Sequence, residues 1–221
     1  PVARLNPLHL RRLERALVLL AERLLRRPHD FAHVGAHLDD ARHELRGGRG
    51  ATFYYNETVS RLEQEAGRIT SVVTNRGQYE ADAYVISIAS YTPQLLRPLG
   101  LKLPIYPTKG YSVTIPIGGR NNAPHISITD EDYRIVYTRL GDRLRVAGTA
   151  EFDGYNTDIN EKRGNAILEM ARAQFPNAGD FANAALWTGL RPLTPDGLPT
   201  IGRTTMDNLY LNTGHGTLGW T

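Results

Sequence analysis

Arg191 is the residue that we consider first for binding chemistry, and it lies in the short segment GLRP, residues 189–192. A guanidinium group is planar and presents parallel N–H donors, so it is the side chain best suited to hold a carboxylate through two hydrogen bonds. Because glycine and proline flank it, we expect a rigid loop to present Arg191 to a substrate carboxylate. Composition equally allows an ion pair with a nearby carboxylate such as Asp196, and both interpretations stay open at this point.

A second candidate is the glycine-rich segment TGHGTLG, residues 213–219, which directly follows a strand-like run. Glycine lets backbone N–H groups approach a ligand closely, and such groups at the start of a helix favour an anion or a polarised oxygen. The segment is therefore either a ligand-binding bend or a tight strand-to-helix turn without a ligand. His215 is a candidate acid–base group, ranked below backbone donation because a side chain between two glycines can point to solvent.

Thiol and metal chemistry find little support in the sequence. The chain has no cysteine, which excludes disulfides, thiolate metal sites and a cysteine nucleophile. His33 and His37 stand four residues apart with Asp40 nearby, as ligands on a helix would. No glutamate base motif and no third placed ligand accompany them, so we predict surface histidines and no metal site.

Charge is concentrated near the beginning of the 221-residue chain. The formal net charge is +3, but residues 1–50 carry ten arginines against six acidic residues, which leaves the other 171 residues at −1. This distribution argues against a uniformly basic nucleic-acid-binding protein. No run approaches the roughly 18 apolar residues that a membrane-spanning helix needs.

Leucine spacing predicts an amphipathic helix over residues 7–27. Five leucines from Leu10 to Leu24 fall on one helix face, and Pro7 and Pro28 mark the two ends. The polar face carries six arginines. We expect it to be a solvated surface, with a contact to anionic lipid or nucleic acid as the alternative.

After residue 50 the sequence changes to short β-rich runs separated by polar turns. The predicted strands cover residues 51–55, 69–74, 84–89, 111–115, 126–129, 134–139, 144–148 and 209–212. A helix is predicted over 161–174, with Ile167, Met170 and Ala171 facing inward. This order of elements favours a mixed α+β architecture.

Three segments carry a resemblance to a known family. They are YPTKGYSVTIPI (106–117), TGLRPLTPDGLPTIG (188–202) and NLYLNTGHGTLGWT (208–221). In this order they resemble the D-amino acid dehydrogenase group of the FAD-dependent amine and amino acid oxidoreductases. The segment ADAYVISIASYTP (81–93) is similar to the second flavin-contacting strand and turn of that family. The likeness covers roughly residues 50–221.

The resemblance implies an α+β fold in which a mixed β-sheet substrate domain lies over part of a doubly wound FAD-binding domain. It also implies a division of the chain. Residues 1–50 would be a divergent helical and basic segment, 51–100 part of the FAD-binding domain, 101–186 the substrate domain, and 187–221 a return to the FAD-binding domain.

Site residues follow from the resemblance by position. Arg191 matches the arginine that binds the substrate carboxylate, and Tyr111 matches a substrate-pocket position on the sheet over the flavin; with His215 they form the catalytic set. The implied cofactor-binding residues are Val59 beside the adenine, Ala89 and Ser90 near the pyrophosphate, and Gly189, Gly214, His215, Gly216, Thr217 and Leu218. The family often has glycine in the turn that Ala89 and Ser90 match. The backbone of 214–218 would face the flavin ring, where negative charge develops on reduction.

The activity that the resemblance implies is FAD-dependent oxidative deamination of D-amino acids. Hydride leaves the α-carbon for the flavin, no side-chain base is required, and the electrons pass to a respiratory quinone acceptor. The expected partners are a small D-amino acid and the quinone chain, with no nucleic acid. The expected location is cytoplasmic, peripheral on the inner membrane, with the arginine-rich helix attracted to anionic lipid.

Two departures from the family pattern support an alternative. No G-x-G-x-x-G follows an early strand, and no acidic ribose ligand follows about 20 residues later. The sequence also ends where the family continues into a closing helix. The alternative is a truncated, flavin-free paralogue that keeps the substrate-domain fold without catalysis.

Overall fold

The computed structural model describes residues 16–20 at the level of the backbone, together with residues 52–119 and 122–217. The chain forms two compact units. One, which we call the discontinuous unit, contains the residues up to Ile105 and those from Leu193 onward. The other, the central unit, is Tyr106–Pro192.

Strands are the most frequent regular elements of the described residues. In chain order they are β1 (Ala16–Leu20), β2 (Val59–Glu65), β3 (Arg68–Thr74), β4 (Gln78–Tyr79), β5 (Ala83–Ser87), β6 (Tyr106–Pro116), β7 (Ile128–Asp130), β8 (Ile135–Leu140), β9 (Arg143–Glu151), β10 (Ala185–Leu193), β11 (Thr200–Arg203) and β12 (Leu209–Thr213). The α-helices of the described residues are α1 (Thr92–Leu96) and α2 (Glu161–Gln174). The same residues include three short 3-10 helices at Ala89–Tyr91, Arg97–Leu99 and Phe181–Asn183.

The discontinuous unit contains a four-stranded sheet in the order β1-β5-β12-β11. Strands β1, β5 and β12 are parallel, and β11 is antiparallel to β12. Strands β2, β3 and β4 form a separate antiparallel sheet. The apolar core of the unit combines residues from both sheets and α1, including Val72, Ile86 and Leu96. Parallel strands place their carboxyl ends at one edge of a sheet, which is where open α/β sheets bind ligands.

The central unit contains a five-stranded sheet in the order β10-β6-β9-β8-β7. Its antiparallel pairs join β6 to β9, β9 to β8 and β8 to β7. Helix α2 packs on one face, where Ile167 and Ala171 join sheet residues such as Tyr111 and Val146 in a buried cluster. A β-bulge at Thr149, which has a φ of 54°, shifts the register between Gly110 and Tyr111.

The α+β class and most of the predicted elements are confirmed. Helix 161–174 matches α2, and the predicted meander matches β7, β8 and β9 with bounds shifted by one to three residues. Met170 is wrong as an inward residue, since 36% of it is exposed. The sequence predicted a substrate domain over residues 101–186, and the central unit of the structure covers Tyr106–Pro192.

The predicted helix over 7–27 is wrong for residues 16–20, which form β1. The run ALVLL is continuously apolar, and such a run fits a buried strand as well as a helix. Parallel pairing of all five residues with Ala83–Ser87 is the tertiary contact that favours the strand. The rest of the predicted helix, and the His33, His37 and Asp40 group, lie outside the described residues.

The predicted strand over 51–55 is also wrong, because no β-strand forms in its described residues 52–55. Their aromatic rings pack instead, with Tyr54 4.7 Å from Tyr79 between centroids. Strand β2 lies a few residues later and was missed because its sequence is mostly polar. It joins β3 through Ala66 and Gly67, both with positive φ, as a two-residue hairpin of this kind requires.

In the described part of the chain, no helix is long and apolar enough to cross a membrane.

Candidate functional site

Arg191 lies within strand β10 and not in a loop, which corrects the expectation from its flanking residues. The strand was missed because Gly189 and Pro192 are typical of turns. Strand β10 is at the edge of the five-stranded sheet, where proline is tolerated because the edge does not need every N–H donor.

The guanidinium of Arg191 lies against Gly110 of β6. A methyl group at position 110 would come within 2.6 Å of the Arg191 Cζ, 2.8 Å of Nη2 and 2.9 Å of Nε. Three atoms of the planar group are therefore nearly equidistant from this point, so the flat face of the guanidinium covers Gly110. Its N–H donors, which lie in the plane of the group, are left at the edges.

Burial lowers the pKa of Arg191, and no compensating charge contributes. In the described residues no carboxylate lies within ion-pair distance of it and no hydrogen bond reaches its side chain. The sequence alternative, Asp196, accepts a hydrogen bond from the Leu198 backbone at 3.1 Å. A partly desolvated cation without a protein counter-ion is chemically suited to an anionic ligand.

Other polar and aromatic side chains lie on the same sheet face as Arg191. The Trp187 ring covers Gly189, where it occupies the space that a Cβ atom would need. The Arg145 guanidinium lies 5.2 Å from the Trp187 ring centroid, and it donates a hydrogen bond to Ser112 Oγ at 3.1 Å. Gly189 was predicted to bind cofactor. In this unit, its lack of a side chain leaves room for the ring of Trp187.

Thr108 is a residue that the sequence interpretation missed. It is 1% exposed, and its Oγ1 has no hydrogen-bond partner in the described structure. Side chains two residues apart on a strand share a face, so Thr108 lies on the Gly110 side of β6. The sequence alone cannot show that a hydroxyl is buried without a partner, because this depends on the folded surroundings.

Tyr111 lies on the opposite face of β6, toward α2. It is 1% exposed, and its hydroxyl donates a short hydrogen bond to Glu151. Burial, together with that bond, raises the pKa of Tyr111. Its predicted role in a substrate pocket is not tested by these contacts, but its hydroxyl is already engaged within the unit.

Lys109 binds the same carboxylate. Its Nζ lies 3.0 Å from Glu151 Oε2 and 2.9 Å from Asp153 Oδ2, and it donates to the Asp158 carbonyl at 3.2 Å. Burial alone would lower the pKa of Lys109, but the hydrogen bonds to Asp153 and Glu151 outweigh it and raise the pKa. Hydrogen bonds from Tyr111 and then Lys109 lower the pKa of Glu151 from 4.5 to about 2. We call Lys109, Tyr111, Glu151 and Asp153 the anchoring cluster.

In the discontinuous unit, the bend after β12 lies at the carboxyl edge of the parallel strands. Gly214 and Gly216 have φ values of 76° and 62°, a conformation that favours glycine. The Thr213 hydroxyl lies 2.9 Å from the Thr92 hydroxyl and donates to the Ala89 carbonyl at 3.2 Å. These bonds join the bend to the segment that follows β5, so the predicted residues 89–90 and 214–217 come together at one edge.

Ala89 has a φ of 49°, in the left-handed region where a side chain is strained. This explains physically why glycine is suited to that position. Two residues earlier, the Oγ of Ser87 at the end of β5 is buried without a hydrogen-bond partner in the described structure. Strained main chain and an unsatisfied hydroxyl at the carboxyl edge of parallel strands fit a polar nucleotide cofactor.

The remaining predicted residues are placed as follows. His215 is half-buried between the two glycines, and Thr217 is exposed. Val59 begins β2 and packs partly against the core of the discontinuous unit, opposite Thr74. Leu218 lies outside the described residues. The glycines at 214, 216 and 219 have the G-x-G-x-x-G spacing of loops that approach a dinucleotide closely, and here it follows a late strand.

In the described residues, no group of three or more His, Asp or Glu side chains is arranged to hold a metal ion.

A parallel-stranded carboxyl edge beside glycine-rich main chain is typical of the class of nucleotide-binding folds. Comparison with known proteins is more specific. The family described as FAD dependent oxidoreductase matches residues 9–221. The chain therefore belongs to this family.

Curated relatives named D-amino acid dehydrogenase are similar to the chain. The protein from Methylobacterium nodulans is 54% identical over 174 residues, which cover 78% of this chain and 41% of that protein. The protein from Vibrio vulnificus is 48% identical over 178 residues, covering 80% and 43%. The chain thus spans less than half the length of these relatives. The predicted resemblance to the D-amino acid dehydrogenases is confirmed.

A solved structure agrees on the fold. Glycine oxidase from Bacillus cereus superimposes with a TM-score of 0.64 at 26% identity, covering 77% of this chain and 46% of the other.

Proposed function

We propose that the protein containing this chain is an FAD-dependent enzyme that oxidatively deaminates D-amino acids, with Arg191 binding the substrate carboxylate. The observation that carries the proposal is the desolvated guanidinium of Arg191, which has no carboxylate partner in the described residues. The family match and the names of the curated relatives support the reaction class.

A carboxylate ligand would supply what Arg191 lacks. Partial burial weakens hydration of the guanidinium, and a carboxylate that accepts two of its N–H donors restores both charge and hydrogen bonding. Because the flat face of the group is against Gly110, the ligand would bind at its edge, in the plane of the donors. Such two-point binding orients the α-carbon as well as holding it.

The cofactor would be held by main chain of the discontinuous unit. The residues proposed for this are Ala89, Ser90 and the bend 214–218, with the Ser87 hydroxyl as a further donor. When bound, FAD supplies the acceptor for the hydride of the substrate α-carbon. Backbone N–H groups at the bend would stabilise negative charge next to them. We place His215 second to these groups as an acid–base residue, and we give Val59 and Gly189 no direct chemical step.

Tyr111 has a different part in this proposal from the one its resemblance implies. Its hydroxyl donates to Glu151 on the face toward α2. We therefore propose that Tyr111 fixes the strand that supports Arg191, while groups on the opposite face meet the substrate.

The test is the visible spectrum of the purified protein under anaerobic conditions. We expect flavin absorption that bleaches when a D-amino acid is added and stays when the L-enantiomer is added. Flavin that neither enantiomer bleaches would contradict the substrate class. Absence of flavin, together with no binding of added FAD, would favour the flavin-free paralogue instead.

We further propose a quinone of the respiratory chain as electron acceptor, with peripheral attachment to the inner membrane. This part rests on the resemblance alone, since β1 occupies the middle of the stretch that was expected to be a basic helix. Turnover with a soluble quinone analogue should exceed turnover with oxygen. Faster turnover with oxygen would identify an oxidase.

A further inference from the structure

Gly110 has an ordinary strand conformation, so its backbone does not explain why it is glycine. It does not have the positive φ that the turn glycines of the chain show. It is buried in the middle of β6 and paired with Ala150 of β9. The space that a side chain would need is filled by the guanidinium of Arg191, with three of its atoms between 2.6 and 2.9 Å from the ideal Cβ position.

The strand on either side of Gly110 is held from the opposite face. Lys109 and Tyr111 both bind Glu151, and Lys109 also binds Asp153. The Arg163 Nε of α2 lies 3.3 Å from Glu151 Oε1, and its Nη1 donates to Thr149 Oγ1 of the adjacent bulge at 3.1 Å. Gly110 therefore lies on a segment whose two neighbours are fixed by the anchoring cluster.

We propose that Gly110 is a positioning residue for substrate recognition. Because Gly110 has no side chain, the guanidinium of Arg191 can lie flat against its backbone, a contact surface that we call the seat. The seat sets the plane in which the guanidinium binds a carboxylate. The anchoring cluster keeps the seat in place. This inference rests on the proposed function, because it takes Arg191 as the carboxylate-binding group.

The Gly110→Ala variant tests the seat with little disturbance of the fold. Its methyl group is fixed to the backbone, whereas the guanidinium is the far end of a flexible side chain and can move away. We expect the thermal unfolding midpoint to stay near that of the parent protein. We expect the KM for D-alanine and the inhibition constant of propionate to rise about tenfold to hundredfold, as displacement of a binding group by about 1 Å can cause.

A substrate without a carboxylate separates positioning from general damage. D-alaninamide has the same amine and α-carbon but no carboxylate, so its kcat/KM should be nearly the same in Gly110→Ala and in the parent protein. A loss of the same size for D-alanine and D-alaninamide would overturn the proposal, since it would indicate a distorted unit.

Gly164→Ala is the matched control. Its methyl group would come 2.8 Å from Leu186 Cδ1, also the far end of a flexible side chain, but on the face that packs against α2. We expect kinetic constants near those of the parent protein for both substrates. An equal increase in the KM for D-alanine in the two glycine variants would contradict a specific role of position 110.

The double variant with Arg191→Ala completes the test. If Gly110 acts through Arg191, adding Gly110→Ala to Arg191→Ala should leave the KM for D-alanine unchanged, because the positioned group is already absent. Additive effects would overturn the inference. The proposed function fails separately: if Arg191→Ala alone keeps the preference for D-alanine over D-alaninamide, Arg191 is not the carboxylate-binding group. A parent-like Gly110→Ala beside an affected Arg191→Ala would refute the seat alone.

Discussion

Two cations lie on opposite faces of the same five-stranded sheet, and their surroundings differ in one respect. The Lys109 side chain is 2% exposed and has two carboxylates and a carbonyl as partners. Arg191 is half-buried and has no carboxylate partner in the described residues. The two cations meet adjacent residues of β6, since Arg191 lies against Gly110 and Gly110 directly follows Lys109.

The difference indicates which charge serves the fold and which serves a ligand. A buried cation with all its partners in the protein is balanced before any ligand arrives. A partly desolvated cation without a protein partner destabilises the free protein, and an anion that binds to it removes this destabilisation. The pKa directions agree, because the pKa of Lys109 is raised and that of Arg191 is lowered.

The largest expected effect is that of Lys109→Met, which removes the balanced cation. Glu151 and Asp153 would lose their shared partner, and Glu151 would stay in a partly buried position. We expect the free energy of unfolding to fall by about 2 kcal/mol, since Glu151 keeps Tyr111 and Arg163 as partners but loses its charged hydrogen bond from Lys109. Denaturant unfolding followed by tryptophan fluorescence measures it. A fall below about 0.5 kcal/mol would mean that the cluster does not hold the sheet.

We expect low pH to destabilise the protein through Glu151 of the anchoring cluster. The pKa of Glu151 is about 2 in the folded protein against an ordinary 4.5. A carboxyl with a lowered folded pKa contributes stability above its unfolded pKa and loses it as pH falls, here between pH 4.5 and 2. The denaturation midpoint should therefore decrease across this window. Glu151→Gln should be less stable at neutral pH and show a shallower decrease, and an equally steep one would assign the acid sensitivity to other groups.

The sequence analysis selected Arg191 as a candidate binding residue, but it did not select Lys109. Arg191 lies in a short motif whose neighbours are typical of a binding segment, and the motif is local. The partners of Lys109 lie 42 and 44 residues later along the chain, at Glu151 and Asp153, so only the pairing of β6 with β9 brings them together. Thr108 could not be found from the sequence for the same reason, because an unsatisfied hydroxyl is a property of the folded environment.

Elements were predicted best where the sequence pattern fits one local structure, and worst where it fits two and tertiary pairing decides between them. The apolar run YVISIA predicts a strand over 84–89, where β5 covers Ala83–Ser87, and helix α2 has the predicted bounds. Residues 16–20 and β10 were misassigned because an apolar run and a Gly-x-x-Pro segment each fit two local structures. At 214–217 the glycines predicted a bend, and the positive φ values of Gly214 and Gly216 agree.

Tyr111→Phe is a smaller change on the balanced face. The ring keeps its place in the core, but Glu151 loses the hydrogen bond that contributes most to its low pKa. We expect a loss of about 1 kcal/mol in unfolding free energy at neutral pH. The acid-induced decrease in stability should also be smaller and end at a higher pH, because the folded pKa of Glu151 returns toward its unfolded value of 4.5. An unchanged acid profile would show that the charged partners Lys109 and Arg163, and not Tyr111, keep the pKa of Glu151 low.

Arg191→Met is expected to have the smallest effect on stability, and its sign differs from that of Lys109→Met. The methionine side chain can follow a similar path over Gly110 without a charge to desolvate. We expect unfolding free energy to stay the same or to rise by about 1 kcal/mol, as when a charge without a partner is replaced by an apolar side chain of similar length. The same protein should lose its affinity for propionate. If Arg191→Met destabilised the protein as much as Lys109→Met does, the guanidinium would have a structural partner, and the contrast between the two faces would no longer point to a ligand.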